Sequence, residues 1–153
     1  MGQQQLLLIV LGVIIVGIAI AVGISMFKSN AVSSNRDQVI NDLNNLAAKA
    51  QQYFRKPTSM AGGGEGFGQF HLDSIDVNNA NGYYSYNITA APTAAALTLA
   101  VGDTTSLAGV TGTGGPQAFY ILGQGTEMGN DGTHHVGAYA LVTQNGPAVT
   151  VIN

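Results

Sequence analysis

Residues 6–27, LLLIVLGVIIVGIAIAVGISMF, carry no charge, and Ser25 is their one conventionally polar side chain. Wound as a helix at ~1.5 Å per residue, the run is about 33 Å long, enough to cross the ~30 Å hydrocarbon core of a bilayer. Three fates are open to it: removal as a secretory signal, retention as a membrane anchor, or burial against copies of itself. Secretory signals usually start with Lys or Arg and have a shorter apolar core. Only their small-residue ending is found here, at Ala19-Ile20-Ala21, and cutting there would leave residues 22–27 as an apolar N-terminus. With no cysteine, nothing is present to carry a thioether lipid. Gly12, Gly17 and Gly23 interrupt the Val and Ile, and Ala19 with Gly23 forms a small-xxx-small pair that admits another helix at close range. The glycines fit an ordinary anchor and also a helix shaped to pack on its own copies.

The 153 residues allow one modest globular domain plus this helix. Only 8% of them are charged, and the part beyond Pro57 is rich in Gly, Ala, Thr and Asn, a composition of self-packing or extracellular structural proteins. The few charges are segregated. Lys28, Arg36, Lys49, Arg55 and Lys56 all precede Pro57 with only Asp37 and Asp42 among them, a net of +3. Residues 57–153 contain no Lys or Arg and six acids, Glu65, Asp73, Asp76, Asp103, Glu127 and Asp131, a net of −6. A basic stem thus carries an acidic head. Lys49, Arg55 and Lys56 are candidates for attracting the acidic head of a neighbouring copy; capping the helix or touching anionic lipid is the plainer use of the same bases.

Between residues 31 and 56, Val32, Val39, Ile40, Leu43, Leu46, Ala47, Ala50, Tyr53 and Phe54 recur at steps of three and four, the spacing of one helical face. Asn35, Asp37, Asn41, Asn44, Asn45, Lys49 and Gln52 are expected opposite them. Arg55 and Lys56 suit the negative end of the helix dipole, and Pro57 ends the helix. Since no Pro or Gly stands between Phe27 and Arg36, one helix over residues 3–56 is expected, with 29–35 the place for any kink. Beyond it the pattern turns to short strands, at 70–77, 83–89, 95–101, 118–122, 136–143 and 148–152, after a GGGEGFG crossing at 62–68. Turns and not helices join them, which implies an antiparallel sheet. The expected fold is α+β: a long N-terminal helix, apolar and then amphipathic, packed on a C-terminal antiparallel head at 57–153.

Residues that carry chemistry are sparse. His134 and His135 are adjacent, so a strand would point them to opposite faces, and with His71 they read as surface or turn histidines. GQGTEMGNDGTHH offers Glu127, Asn130 and Asp131 as oxygen ligands without the alternation of a calcium loop. The glycines of GGGEGFG lack the strand-to-helix context of a phosphate loop. Asn87-Ile88-Thr89 matches the short glycosylation sequon. No nucleophile has an evident base, and no catalytic residue, cofactor or metal is assigned. The head has no Lys or Arg, so attraction for nucleic-acid phosphates would have to come from the stem, and no nucleic acid is specifically implied as a partner.

A glycine close to the N-terminus, an apolar run that starts almost at once, an amphipathic continuation to about residue 55 and a Gly/Thr-rich antiparallel head together resemble type IV pilins and pseudopilins. The resemblance covers the architecture of the chain but only the first thirty residues in sequence. It implies a leader at 1–2 cut after Gly2 by a prepilin peptidase, leaving Gln3 first. It also implies a precursor anchored in the cytoplasmic membrane, a pilus assembly machinery, and a homopolymeric filament at the cell surface. The helix-bundle core would then be Leu6, Leu7, Ile9, Val10, Val13, Ile14, Val16, Ile20, Ile24 and Phe27, with Gly12, Gly17 and Gly23 as points of close packing. The chain departs from the family at Leu7, where the family has a registering glutamate, and in having no base ahead of Gly2. By the positive-inside rule its basic stem favours a cytoplasmic head. The expected role is a structural filament subunit and not an enzyme; the alternatives are a singly anchored protein whose β head binds a partner, and a secretion or DNA-uptake pseudopilin.

Overall fold

A computed structural model describes residues 2–88 and 118–153. The strand expected at 95–101 and the threonine of the 87–89 sequon lie outside the described residues. The fold is α+β, as the pattern implies: one long helix, then a sheet whose pairings among the described residues are all antiparallel.

Helix α1 runs unbroken over Gly2–Arg55, 54 residues or about 80 Å. It is continuous through 29–35, where no residue lacks an amide hydrogen or a Cβ. Its buried residues are Val32, Asn35, Val39, Leu43, Leu46, Ala47 and Ala50, all in the second half. The helix stops at Pro57, and the glycine-rich stretch folds back over its end. Gly63 N–H donates to Tyr53 O (2.8 Å), Glu65 N–H to Phe54 O (3.0 Å) and Gly64 N–H to Lys56 O (3.0 Å). These amides satisfy carbonyls that a helix end leaves without partners. Gly64 sits at φ +55°, and a Cβ on Gly63 would come within 2.8 Å of the Tyr53 ring, so the turn depends on glycine at both positions.

The sheet consists of β1 (Asn78–Asn79), β2 (Gly82–Ile88), β3 (Ala118–Met128), β4 (His135–Thr143) and β5 (Gly146–Val151), paired in that order. Phe119 pairs with Val142, Ile121 with Ala140 and Gly123 with Ala138, which puts these six on the face that meets α1. Val39, Leu43, Ala47 and Ala50 of the helix are fully buried against that face. At the C-terminal end of α1 an aromatic cluster closes the core. Phe67 lies between Phe54 (4.9 Å between ring centroids) and Phe119 (5.2 Å), and Phe70 touches Tyr53, Tyr86 and Phe119.

Three expectations are corrected. Residues 70–77 do not form a strand: Phe70 and Leu72 alternate inward as a strand would, but continuing the alternation would bury Ser74 and Asp76. The chain instead closes helical turn α2 (Ser74–Val77), in which Asp73 O accepts from the amides of Asp76 and Val77. Strand β3 is six residues longer than the expected 118–122, since Gly123 and Gly125 continue it. The last hairpin is also tighter than expected, with Thr143 paired to Gly146 across Gln144 and Asn145. Pro147 falls on the edge strand β5, where a missing amide hydrogen is tolerated.

Candidate self-association surface

The sheet covers only the second half of α1. From residue 2 to residue 31 every side chain is exposed except at the half-buried Gly23. The ten residues assigned to a bundle core, Leu6, Leu7, Ile9, Val10, Val13, Ile14, Val16, Ile20, Ile24 and Phe27, are all bare, from 53% exposed at Ile14 to 79% at Phe27, whereas Val39 and Leu43 on the same helix are at 0%. At 100° per residue these ten and the Leu and Ile between them cover the whole circumference, so no polar side faces water. A helix apolar all round needs lipid or protein on every side. It is long and apolar enough to cross a membrane, and none of its most apolar 18-residue window is buried. Gly2 and Gln3 form its exposed first turn.

The glycines of the two halves differ. Among the described residues, a Cβ added at Gly12, Gly17 or Gly23 would meet nothing within 4 Å, so no described contact requires glycine there. Each costs a helix interior about 0.5–1 kcal/mol relative to alanine. Gly123 and Gly125 of β3 are needed within the chain: a Cβ at 123 would lie 2.9 Å from Val39 Cγ1, and one at 125 would collide with Asn35 Oδ1. They are where the sheet admits the helix.

Polar contacts fix α1 in register on the head. Asn35 was expected on the solvent side but is buried, donating through Nδ2 to Asn81 O (2.9 Å) and accepting at Oδ1 from Glu127 N–H (3.3 Å). Asp42 Oδ2 accepts from Asn79 Nδ2 (3.0 Å), Asn81 Nδ2 (2.8 Å) and Tyr84 OH (2.8 Å). Burial, followed by the hydrogen bond and charge of Asp42, pushes the Tyr84 hydroxyl well above the usual phenol range. Both residues had a legible signal, since 35 and 42 continue the three-and-four spacing of 32, 39, 46 and 50.

Of the stem bases, Lys49 is expected to reach a neighbouring head but pairs instead with Asp76 of its own chain, at 2.6 Å. Arg55 and Lys56 are exposed and have no ion pair among the described residues. The histidines are each engaged locally: His71 donates to Gln69 O, His134 to Asp131 Oδ2 (2.6 Å) and His135 to Thr126 O. Asp131 also accepts from the amides of Thr133 and His134, and these bonds, the His134 amide first, hold its carboxyl well below the usual range. Its oxygens are thus taken up inside its own loop. Among the described residues no three His, Asp or Glu side chains converge as metal ligands. No family model, curated protein or solved structure matches this chain.

Proposed function

We propose that this chain is the structural subunit of a pilus-like extracellular filament, held together by lateral bundling of residues 6–27. The observation that carries the proposal is the continuity of α1: one unbroken helix, Gly2–Arg55, has one half locked to the sheet and the other half bare and apolar on every side. A tether would do with a flexible linker between span and head. A rigid coaxial stem instead transmits the register of the bare halves to the heads. Burying an exposed Leu, Ile or Phe contributes about 1.5–3 kcal/mol, so a bundle of such helices supplies most of the cohesion. The glycines at 12, 17 and 23 leave room for close approach between neighbours.

A second reading, a singly anchored membrane protein with a partner-binding head, is favoured by the length and hydropathy of the same helix. Shearing cells, imaging the released fraction and measuring intact mass separates the two. The filament reading expects thin uniform fibres built from this chain, beginning at Gln3 if Gly2 is a processing site. Protein recovered only from detergent-solubilised membranes supports the anchored monomer.

A further inference from the structure

We infer that, while α1 spans a bilayer, the 126–134 segment of the head, the end of β3 with the loop that follows it, rests on the phospholipid headgroup layer, so the head stands on the membrane instead of hanging free of it. The inference rests on the membrane-spanning capacity of α1 and holds for an anchored monomer and for a filament precursor alike.

Three lengths along one rigid helix carry it. Residues 6–27 occupy about 33 Å, matching a ~30 Å hydrocarbon core at a modest tilt. Residues 28–31 follow, exposed on every side, and span about 6 Å, close to the roughly 5–7 Å of headgroups on each face of a bilayer. Lys28 opens this collar, where a long basic side chain reaches phosphate oxygens. The head begins at the next residue, Val32, which is buried.

The loop is fixed at that end of the head. Glu127 N–H is bonded to Asn35 Oδ1, and Arg36 Nε donates to Asn153 O (3.3 Å). Asn153 Nδ2 in turn donates to His134 O (3.3 Å), and Gly129 N–H to the same oxygen (2.8 Å). Thr126, Glu127, Asn130, Asp131, Gly132 and Thr133 are exposed. These exposed residues offer the hydroxyls of Thr126 and Thr133, the amide of Asn130 and the carboxylate of Glu127, with Met128 only half-buried between them, so the segment suits the hydrated headgroup layer and not the acyl region. The opposite end of the head, the turn at Gln144 and Asn145, sits beside Gln51, whose Nε2 donates to Thr143 O. Sixteen helical residues separate Asn35 from Gln51, about 24 Å along the axis.

The chain has no cysteine, so single labels are unambiguous. Spin labels at T133C and N145C of the full chain, in phosphatidylethanolamine/phosphatidylglycerol vesicles doped with a nickel-chelating lipid, report proximity to the headgroups. The expected result is severalfold greater relaxation enhancement at 133 than at 145. Equal enhancement, or none at 133, in protein that floats with the vesicles overturns the apposition and leaves the span intact. Protein that fails to float overturns both. A label at 133 that is silent in vesicles and immobilised only in fibres assigns the loop to a second copy, and the lipid assignment fails. Absence of fibres bears on the filament proposal and leaves this one standing.

Discussion

The carboxylate of Asp42 and the hydroxyl of Tyr84, 42 residues apart in sequence, meet at 2.8 Å where the stem crosses the sheet. The same oxygen, Asp42 Oδ2, also takes amide hydrogens from Asn79 and Asn81 of the β1–β2 hairpin. One side chain on the helix therefore holds two positions of the turn and one of the following strand. Removing a partner from a buried polar group costs about 1–3 kcal/mol, more than a typical hydrogen bond contributes net. Asp42→Ala is expected to destabilise the chain by about 2 kcal/mol, and Asp42→Asn, which keeps an acceptor oxygen, by less. Denaturant midpoints check this, and an Asp42→Ala midpoint equal to wild type would mean that the helix finds its place through apolar packing alone.

Alkaline titration provides a second check. Folded Tyr84 has its pKa raised above the ordinary value of about 10, chiefly by burial. Above about pH 10 the unfolded chain releases this proton while the folded chain keeps it, so the unfolded state gains. The stability linked to Tyr84 is complete below that pH and is lost as the pH rises further. Tyr84→Phe is expected to flatten the fall of the denaturant midpoint above pH 10. An identical slope in wild type and variant would place the alkaline loss elsewhere.

The two sets of glycines should respond oppositely to alanine. Gly125→Ala drives a methyl into Asn35 and is expected to cost about 1–3 kcal/mol, the range for overpacking. Gly12→Ala and Gly23→Ala meet no described atom within 4 Å and should leave head melting unchanged while raising helicity. If bundled neighbours occupy that space, the same two changes, and Leu more strongly, lower fibre yield. Normal fibres from Gly12→Leu with Gly23→Leu would show that the glycines are not points of close packing.

Charge makes a separable contribution. Lys49 is spent on Asp76, and since its side chain is 53% exposed the pair is worth about 0–1 kcal/mol after screening. Lys49→Ala should therefore shift melting slightly. Arg55 and Lys56 have no ion pair among the described residues, so if they attract a neighbouring acidic head, Arg55→Glu with Lys56→Glu should reduce fibre yield without changing melting. Undiminished assembly of that double variant across a range of salt concentrations rejects the electrostatic role and leaves register to helix packing.

The single helix was legible because its evidence is local: no Pro or Gly between 28 and 56, and a steady three-and-four spacing. What the sequence concealed was set by contacts between distant residues. The spacing puts Asn35 on the buried face, yet its amide side chain reads as solvent-facing until Asn81 and Glu127, 46 and 92 positions away, supply its partners. Gly123 and Gly125 look like strand breakers and continue the strand, because close approach of α1 is what leaves no room for a side chain there. Residues 70–77 begin with strand-like alternation, and the turn at Asp73, closed by its own carbonyl, leaves Asp76 where Lys49 of the distant helix meets it. The bare half of α1 was the most legible part of the candidate site, since an uncharged run declares itself without tertiary information; the partner of Lys49 was not, being a matter of where α2 comes to rest.

The central claim, that residues 6–27 of neighbouring copies pack into a common core, is tested most directly by helical reconstruction of sheared fibres at a resolution that resolves individual helices. The account expects the first half of α1 at the fibre axis, touching other copies near Gly12, Gly17 and Gly23, with the sheets outside. Fibres whose density shows residues 6–27 missing, or lying at the surface away from other copies, would contradict it.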